Sequence, residues 1–264
     1  MRVGFLQFQP LRGDVNQNID AIQSLLAGKE FELLVLPELS NSGYLYDSRE
    51  ELAGSSEPAD GSGPFLSALI SLARRHHACL VSGFSESTAN GLYNSAVAVD
   101  ENGVLAHYRK IHLFNTEKNL FLPGDLGFKV FPYKDTQIGV MICFDWVFPE
   151  STRTLALRGA QIVCHPANLV LPYCQAAMVT RSLENGIFTI TANRIGAETG
   201  QGQSLQFTGH SQVLSNKGQL LRQADESQTC LSMVEIEPKD ALTKLFSPQN
   251  DLFQDRRPEF YQLR

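Results

Sequence analysis

The stretch QIGVMICFDWVFPE (137–150) decides the fold and carries the residue of greatest chemical interest. Its short apolar run predicts a buried strand over 137–142. Pro149 and Glu150 predict the first turn of a helix, because proline loses no hydrogen bond there and an acid suits the positive end of the helix dipole. Cys143 therefore lies at a strand-to-helix elbow, where backbone N–H groups can polarise its sulfur.

Two further strand ends give this cysteine its significance, since a lone free cysteine is more often a small buried hydrophobe. The run LLVLPE (33–38) ends in Glu38, and VLAHYRKIHLF (104–114) delivers Lys110. Glutamate rarely lies against a core unless it is paired or functional. Three strand ends that carry Glu, Lys and Cys in this order form a combination that rarely arises by chance.

These segments resemble the signature regions of the nitrilase (carbon–nitrogen hydrolase) superfamily, whose catalytic set is Glu–Lys–Cys. The matching regions are LVLPE (34–38), YRKIHLF (108–114) and ICFDWVFPE (142–150). The resemblance runs from VGFLQFQP near the start to the closing DRRPEFY, and it is nearest to the short, single-domain prokaryotic members that are often labelled nitrilase-related. It implies an α/β fold, a four-layer α-β-β-α sandwich with pseudo-twofold symmetry.

The resemblance also assigns catalytic roles. A cysteine thiol is mostly protonated near neutrality and needs a base, for which Glu38 is the candidate. Attack of Cys143 on a carbonyl carbon creates an oxyanion, and Lys110 with the backbone N–H of Phe144 would stabilise it. Water would then cleave the thioester, again with Glu38 as base. This chemistry needs no metal, nucleotide or organic cofactor.

Glu117 matches the second glutamate of the family, which orients the substrate and holds the lysine. The alternative is a surface glutamate paired with a neighbour such as Lys118, because exposed charges are common. Lys110 has an alternative as well, a structural salt bridge to Glu38 or Glu117. That interpretation shares its geometry with the catalytic one, so only kinetics separates them.

Four residues are candidates for substrate binding. Phe144 follows the cysteine directly, and Tyr44 either lines the pocket or packs as a loop aromatic. Trp146 either limits substrate size or belongs to the core. Asn168 either hydrogen-bonds the substrate or caps a turn.

Other polar residues have ordinary explanations. Arg181, Glu184 and Asn185 lie on a predicted helix, where Arg181 could meet a substrate carboxylate, although an ion pair within the helix is favoured. His76 and His77 are adjacent in a predicted helix and point about 100° apart, which does not suit one metal ion.

Composition excludes several classes of function. The 264 residues are 43% hydrophobic and 19% charged, and their net charge of −6 includes no basic stripe that would suit nucleic acid. No stretch approaches the roughly 18 apolar residues of a membrane span, and the chain begins with a strand rather than a signal peptide. Five cysteines without a CxxC pair support neither a disulfide framework nor a zinc ribbon. We therefore expect a cytoplasmic protein.

Strand-like and helical runs alternate along the whole chain. Helices are predicted from Asn16 to about Lys29 and from Pro64 to His77. The strand–helix–strand units at 33–84 and 137–195 predict two half-domains, each a layer of sheet covered by helices. No linker-like segment divides the chain, so we expect one domain over residues 1–264.

The C-terminal tail, 240–264, is polar but rich in aromatic residues. Phe246, Phe253, Phe260 and Tyr261 are costly to leave in water, so we expect the tail to dock on the body or on a partner subunit. Members of the resembled family usually pair through helices beside the active site. The expected assembly is a homodimer or a higher even-numbered oligomer.

The predicted reaction is hydrolysis of a small linear amide, with release of ammonia. Nitrilases commonly follow the cysteine with Trp-Glu, whereas Phe144 and Asp145 follow here, which ranks amidase ahead of nitrilase. An N-carbamoyl-amine hydrolase is a third variant of the same chemistry. Two other hypotheses are a Cys–His protease using His112 or His165 and an inactive scaffold that keeps the fold.

Overall fold

Two six-stranded sheets pack face to face in this protein, with helices on their outer faces. The computed structural model describes residues 1–261. The strands of these residues are β1 Arg2–Gln7, β2 Leu33–Val35, β3 Cys79–Thr88, β4 Gly91–Asp100, β5 Gly103–Arg109, β6 Val130–Tyr133, β7 Thr136–Val140, β8 Ile162–Ala167, β9 Phe188–Asn193, β10 Ala197–Gly200, β11 Gln203–Gln206, β12 Gln212–Leu214, β13 Leu220–Gln223, β14 Cys230–Glu235, β15 Leu245–Ser247 and β16 Asn250–Asp251.

The α-helices are α1 Val15–Leu26, α2 Arg49–Ala53, α3 Pro64–His76, α4 Glu117–Leu120, α5 Pro149–Leu157 and α6 Cys174–Asn185. Short 3₁₀ segments occur at Cys143–Val147, Pro238–Leu242 and Pro258–Phe260. Among the helices formed by residues 1–261, none combines the length and the apolar content that crossing a membrane requires.

The two large sheets share one plan. The first has the order β14-β1-β2-β3-β4-β5 and the second the order β13-β12-β9-β8-β7-β6. In each, three neighbouring strands are parallel, β1–β3 in one and β7–β9 in the other, and antiparallel strands flank them on both sides. This repetition is the predicted pseudo-twofold relation, and the predicted α-β-β-α sandwich is confirmed.

Alternation along the strands explains the four layers. In β1, Val3 and Phe5 join the core between the sheets, whereas Leu6 joins a second core beneath α1 and α3. In β2, Leu33 and Val35 take the first core and Leu34 the second. Because successive side chains of a strand point to opposite faces, a strand covered on both sides reads as a continuous apolar run.

The helix predictions are correct to within a few residues. Helix α1 ends at Leu26, before the predicted Lys29, because Ala27 leaves the helical conformation with ψ of 125° and Gly28 turns the chain at φ of +67°. Helix α3 begins at Pro64 as predicted and stops at His76. His77 follows as its left-handed cap.

The elbow after β7 differs from its prediction in one respect. The strand ends at Val140 rather than at 142, and residues Cys143–Val147 form a 3₁₀ turn before α5. Helix α5 begins at Pro149, as the sequence predicts. Cys143 itself adopts a φ of +40°, in the left-handed region that a non-glycine residue seldom enters.

The tail is held at one aromatic residue. Phe253 is half-buried and packs on the body of the protein, and the cations of Arg153 and Lys244 lie 5.4 and 5.1 Å from its ring centre. Phe246 and Phe260 remain 70% and 71% exposed. Residues 262–264 of the predicted tail lie outside the described residues.

Two glycines allow backbone segments to approach the strand ends that carry Glu38 and Lys110. A Cβ atom at Gly83, in β3, would lie 2.4 Å from the Cα of Glu38. A Cβ atom at Gly124 would lie 2.1 Å from the carbonyl oxygen of Arg109. Only glycine permits such contacts, so both residues help to fix the positions of the charged side chains.

We predict that Gly83→Ala destabilises the protein by about 1–3 kcal/mol, the usual cost of overpacking. It should also slow turnover, because the Glu38 backbone must move. Urea unfolding and a rate assay check both effects. Gly54→Ala is the matched control, since its Cβ would meet nothing closer than the Glu51 carbonyl oxygen at 3.4 Å. Unchanged stability and rate for Gly83→Ala would contradict the close approach.

Candidate active site

Glu38, Lys110 and Cys143 lie together at the carboxyl ends of strands. Glu38 follows β2, Lys110 follows β5 and Cys143 follows β7. All three are buried, and the charges of both Glu38 and Lys110 act on the Cys143 thiol. The carboxyl ends of parallel strands are the usual location of sites in α/β proteins. The structure therefore brings the three residues singled out by the sequence into one cluster.

Lys110 is the centre of this cluster. Its Nζ donates to Glu38 Oε1 at 2.6 Å and to Glu117 Oε1 at 2.8 Å. Complete burial opposes the charge, but the carboxylates of Glu117 and Glu38 outweigh it and raise the lysine pKa above its usual range. An ammonium has three N–H groups. Two are bonded to carboxylates, and the third has no protein partner among residues 1–261.

Glu38 has one occupied and one free oxygen. Oε1 accepts from Lys110 and from Asn94 Nδ2 at 2.7 Å. Oε2 is buried and has no hydrogen-bond partner within the described residues. A buried carboxylate oxygen without a partner is costly, so it calls for an explanation. Oε2 is the atom available to accept a proton.

Glu117 is buried and fully bonded. Its Oε1 accepts from Lys110 and from the Tyr44 hydroxyl at 2.7 Å, and its Oε2 accepts from the Phe114 backbone N–H at 3.1 Å. Burial raises the pKa of Glu117, while Lys110 and the Tyr44 hydroxyl work against that rise. The tyrosine hydroxyl is thus engaged with the cluster.

Cys143 holds its proton at rest. Burial raises the pKa of the thiol well above its usual range, and the negative charges of Glu38 and Glu117 raise it further. Lys110 and the backbone N–H of Asn168 oppose this rise without cancelling it. A thiol in this state becomes nucleophilic only if a base removes its proton during the attack.

Asp145 fixes the elbow that presents the cysteine. This buried carboxylate accepts from the Ile142 backbone N–H at 2.9 Å, from the Tyr108 hydroxyl at 2.7 Å and from His112 Nδ1 at 2.7 Å. Tyr108 and His112 flank Lys110 in the sequence. Asp145 therefore ties the lysine segment to the cysteine elbow.

His165 supports the elbow from the other side. Its Nε2 lies 2.9 Å from the Cys143 carbonyl oxygen and its Nδ1 lies 3.1 Å from Thr191 Oγ1. Burial lowers the pKa of His165 to about 4, so the ring is neutral. A Cys–His protease requires a histidine that is hydrogen-bonded to the sulfur. Within the described residues, neither His165 nor His112 makes that bond.

A small apolar pocket opens over Cys143. Its volume is about 150 Å³, and Phe144, Trp146 and Asn168 are among the residues that line it. The remaining lining residues are Phe114, Val147, Leu169, Val170, Leu171 and Tyr173. None of these described side chains is charged. Larger surface grooves of about 710 Å³ lie elsewhere and do not include the cluster.

Asn168 contributes the polar side chain of this pocket. It is 3% exposed, and neither Oδ1 nor Nδ2 has a partner within the described residues. A buried side-chain amide is normally hydrogen-bonded. The donor and the acceptor of Asn168 are therefore both available to a ligand.

The other polar candidates are engaged elsewhere. Arg181 Nη1 lies 3.2 Å from Glu184 Oε1, and its Nε donates to the Trp146 carbonyl at 3.3 Å. His76 Nδ1 lies 2.9 Å from the Lys29 carbonyl oxygen. Across residues 1–261 no three His, Cys, Asp or Glu side chains are grouped so that they could hold a metal ion.

Sequence reasoning missed several residues that support the cluster. Asn94, which holds Glu38, was detectable only as one of several polar residues in strand β4. Asp145 lies within the cysteine motif, but its partners Tyr108 and His112 lie 37 and 33 residues away. No local pattern reveals contacts over such separations.

Comparison with known proteins identifies the family of this chain. The family model described as carbon-nitrogen hydrolase matches residues 2–242. A protein named nitrilase from Pyrococcus abyssi is 42% identical over 264 residues, 99% of each chain. An (R)-stereoselective amidase from Pseudomonas sp. is 31% identical over 233 residues, 86% of this chain and 82% of the relative.

Among solved structures, a mutant of the Nesterenkonia AN1 amidase from the nitrilase superfamily superposes with a TM-score of 0.81 at 29% identity, covering 99% of this chain and 95% of that one. In another structure of that amidase, acrylamide has added to the active-site cysteine. The strand-end cluster and the match across most of the sequence lead to the same conclusion: this chain belongs to the carbon–nitrogen hydrolase family of the nitrilase superfamily.

Proposed function

We propose that the chain hydrolyses small, linear, uncharged amides to a carboxylic acid and ammonia through a thioester on Cys143. One observation carries the proposal. A buried thiol, a carboxylate with a free oxygen and a buried ammonium lie in one cluster below an apolar pocket. These are a nucleophile, a base and an oxyanion stabiliser.

The first step forms the thioester. Glu38 Oε2 takes the thiol proton while the sulfur of Cys143 attacks the amide carbon. The carbonyl π electrons move to oxygen, and the third N–H of Lys110 and the backbone N–H of Phe144 stabilise that negative charge. Glu38 then gives its proton to the nitrogen, the C–N bond breaks and ammonia leaves.

The second step regenerates the thiol. Water attacks the thioester carbon while Glu38 takes a proton from it. The tetrahedral intermediate collapses, the C–S bond breaks and the sulfur recovers a proton from Glu38. The products are one carboxylic acid and one ammonia per amide and water consumed, and the enzyme returns to its starting state.

The lining of the pocket supports uncharged substrates. A carboxylate or an ammonium on the acyl chain would lie among phenylalanine, leucine and valine side chains without a counter-ion, and burial of an unpaired charge is costly. The volume of about 150 Å³ suits a few carbon atoms. The unpaired amide of Asn168 supplies one donor and one acceptor to the substrate.

A nitrile substrate is the second candidate, and the relative named nitrilase favours it. Addition of the Cys143 thiol to a nitrile gives a thioimidate. One water converts the thioimidate to the same thioester with release of ammonia, and a second water releases the acid. The cluster serves both substrates, so the choice between them lies in how the pocket aligns a linear or a planar group.

We predict that purified protein releases ammonia from small aliphatic amides and that Cys143→Ala releases none, because no other thiol lies in the cluster. A panel of neutral amides, ω-amides with a terminal carboxylate, N-carbamoyl amines and nitriles checks this. Neutral substrates should exceed charged ones of equal length by about tenfold or more in kcat/KM. Unchanged activity of Cys143→Ala, or a preference for charged substrates, would contradict the proposal.

We predict that Asn168→Leu raises KM by roughly five- to tenfold, the equivalent of one lost hydrogen bond of about 1 kcal/mol. The free energy of unfolding should stay unchanged or rise, because the substitution removes an unsatisfied buried amide. Steady-state kinetics and urea unfolding measure the two effects. Asn102→Ala, on an exposed turn, is the control. A loss of stability at unchanged KM would assign Asn168 a structural role instead.

We also propose that the chain forms a homodimer or a higher even-numbered oligomer, to which the tail contributes. Exposed apolar side chains support this, namely Leu157 on α5, Val179 and Leu183 on α6, and Phe246 in the tail. Such residues are costly to leave in water when they are grouped.

Light scattering at micromolar concentration should give an even multiple of the 29.2 kDa chain mass. The variant Leu183→Lys should shift the protein toward smaller species, because a charge would enter an apolar contact. A strict monomer for the unmodified protein would refute the proposal.

A cytoplasmic location is the last part of the proposal. All five cysteines are free thiols, and four of them are buried. Free thiols persist in a reducing compartment, which also keeps a nucleophilic cysteine active.

A further inference from the structure

A second buried ion pair lies beside the catalytic cluster and takes no part in the proposed chemistry. Arg194 is fully buried and Glu198 is 8% exposed, and Arg194 Nη1 donates to Glu198 Oε2 at 2.6 Å. Neither residue lines the pocket over Cys143. A buried ion pair is a weak source of stability, because desolvation offsets much of the attraction. Its contacts suggest another purpose.

Glu198 accepts hydrogen bonds from the loop that carries Tyr44. While Oε2 pairs with Arg194, Oε1 accepts the backbone N–H groups of Tyr44 at 2.8 Å and of Leu45 at 2.5 Å. These bonds span more than 150 residues of sequence. The Glu198 carboxylate therefore fixes the position of the Tyr44 backbone.

Arg194 steadies the tyrosine ring through a second route. Its guanidinium lies 4.0 Å from the centre of the Phe207 ring, and its Nη2 donates to the Pro10 carbonyl at 3.2 Å. Phe207 meets the Tyr44 ring edge-on, with centres 5.8 Å apart and planes at 85°. The backbone and the ring of Tyr44 are thus both held by this ion pair and its neighbours.

The far end of Tyr44 reaches the cluster. Its hydroxyl donates to Glu117 Oε1, the same oxygen that accepts from Lys110. The Tyr44 hydrogen bond and the Lys110 charge both lower the pKa of Glu117 against the effect of burial. A continuous series of contacts therefore runs from Arg194 through Glu198 and Tyr44 to Glu117.

We infer that Arg194 and Glu198 are positioning residues, which hold Tyr44 so that its hydroxyl keeps Glu117 aligned on Lys110. The inference rests on the proposed roles of Lys110 and Glu117 in amide hydrolysis. It extends the site to a buried pair that never touches the substrate.

A double-mutant cycle tests this coupling. Tyr44→Phe removes the hydroxyl, and Glu198→Gln weakens the ion pair while keeping an oxygen for the two loop N–H groups. Each single variant should lower kcat for a hydrolysed amide by about tenfold, with little change in KM. Because both act through one contact, the double variant should be no slower than the worse single variant. If the loss of kcat in the double variant equals the product of the two single losses, the residues act independently and the inference is overturned.

Glu51→Gln is the matched control. Glu51 also accepts from an arginine, Arg12 at 2.5 Å, and from a backbone N–H of the same loop, Asp47 at 3.1 Å, but it is exposed and accepts from neither Tyr44 nor Leu45. The kcat of the Glu51→Gln variant should equal that of the unmodified protein. A tenfold loss in this control would show that any loosening of the loop slows the enzyme, which would overturn the specific role of Glu198.

The pH profile gives a readout that a purely structural role would not move. The titratable groups facing Glu117 are Lys110, Glu38, Tyr44 and Cys143. Because the Tyr44 bond lowers the pKa of Glu117, its loss raises that pKa. The acidic limb of kcat/KM should therefore move to higher pH in Tyr44→Phe, which leaves the charges around Glu117 unchanged.

If Glu198→Gln does not fold, Arg194→Lys replaces it, since it keeps the charge and loses the planar contact with Phe207. The same shift of the acidic limb is expected, in smaller degree. If the acidic limb of kcat/KM does not move in a folded Tyr44→Phe or Arg194→Lys variant, the inference is overturned and the proposed function still stands. Absence of ammonia release by the unmodified protein on the amide and nitrile panel would instead overturn the proposed function.

Discussion

The ammonium of Lys110, buried between the carboxylates of Glu38 and Glu117, is the interaction on which the site depends. An isolated charge in a protein interior is strongly unfavourable, so the lysine requires both partners. Its two carboxylates come from separate segments, the end of β2 and the start of α4. The need to pair one cation thus fixes the relative positions of three parts of the chain.

The same electrostatic arrangement explains the resting state of the nucleophile. Burial raises the pKa of the Cys143 thiol well above its usual range, and the carboxylates of Glu38 and Glu117 raise it further. In the proposed mechanism the thiol is activated only when Glu38 takes its proton during attack. Meanwhile the unusual backbone of Cys143, with φ of +40°, is maintained by Asp145 on one side and His165 on the other. Strained conformations of this kind persist at functional sites when their surroundings fix them.

Much of this arrangement could be predicted from the sequence, because the decisive signals are local. Apolar runs that end in Glu38 and Lys110 identify strand ends, and Pro149 marks the start of α5. The 3₁₀ turn over Cys143–Val147 was not predictable, since no periodic pattern marks it and the Asp145 side chain holds its start through the Ile142 N–H. Asn94 was missed for a related reason, as it meets Glu38 across 56 residues of sequence. Contacts between separate elements arise only once the two sheets are packed.

The most direct test of the thioester on Cys143 is the partition of products in the presence of hydroxylamine. A primary amide and the N-methylamide of the same acid should give one common ratio of hydroxamate to acid at fixed hydroxylamine concentration, because both pass through the same acyl–Cys143 intermediate. Cys143→Ala should form neither product. A ratio that changes with the leaving group would show that no common intermediate exists, and would contradict the account.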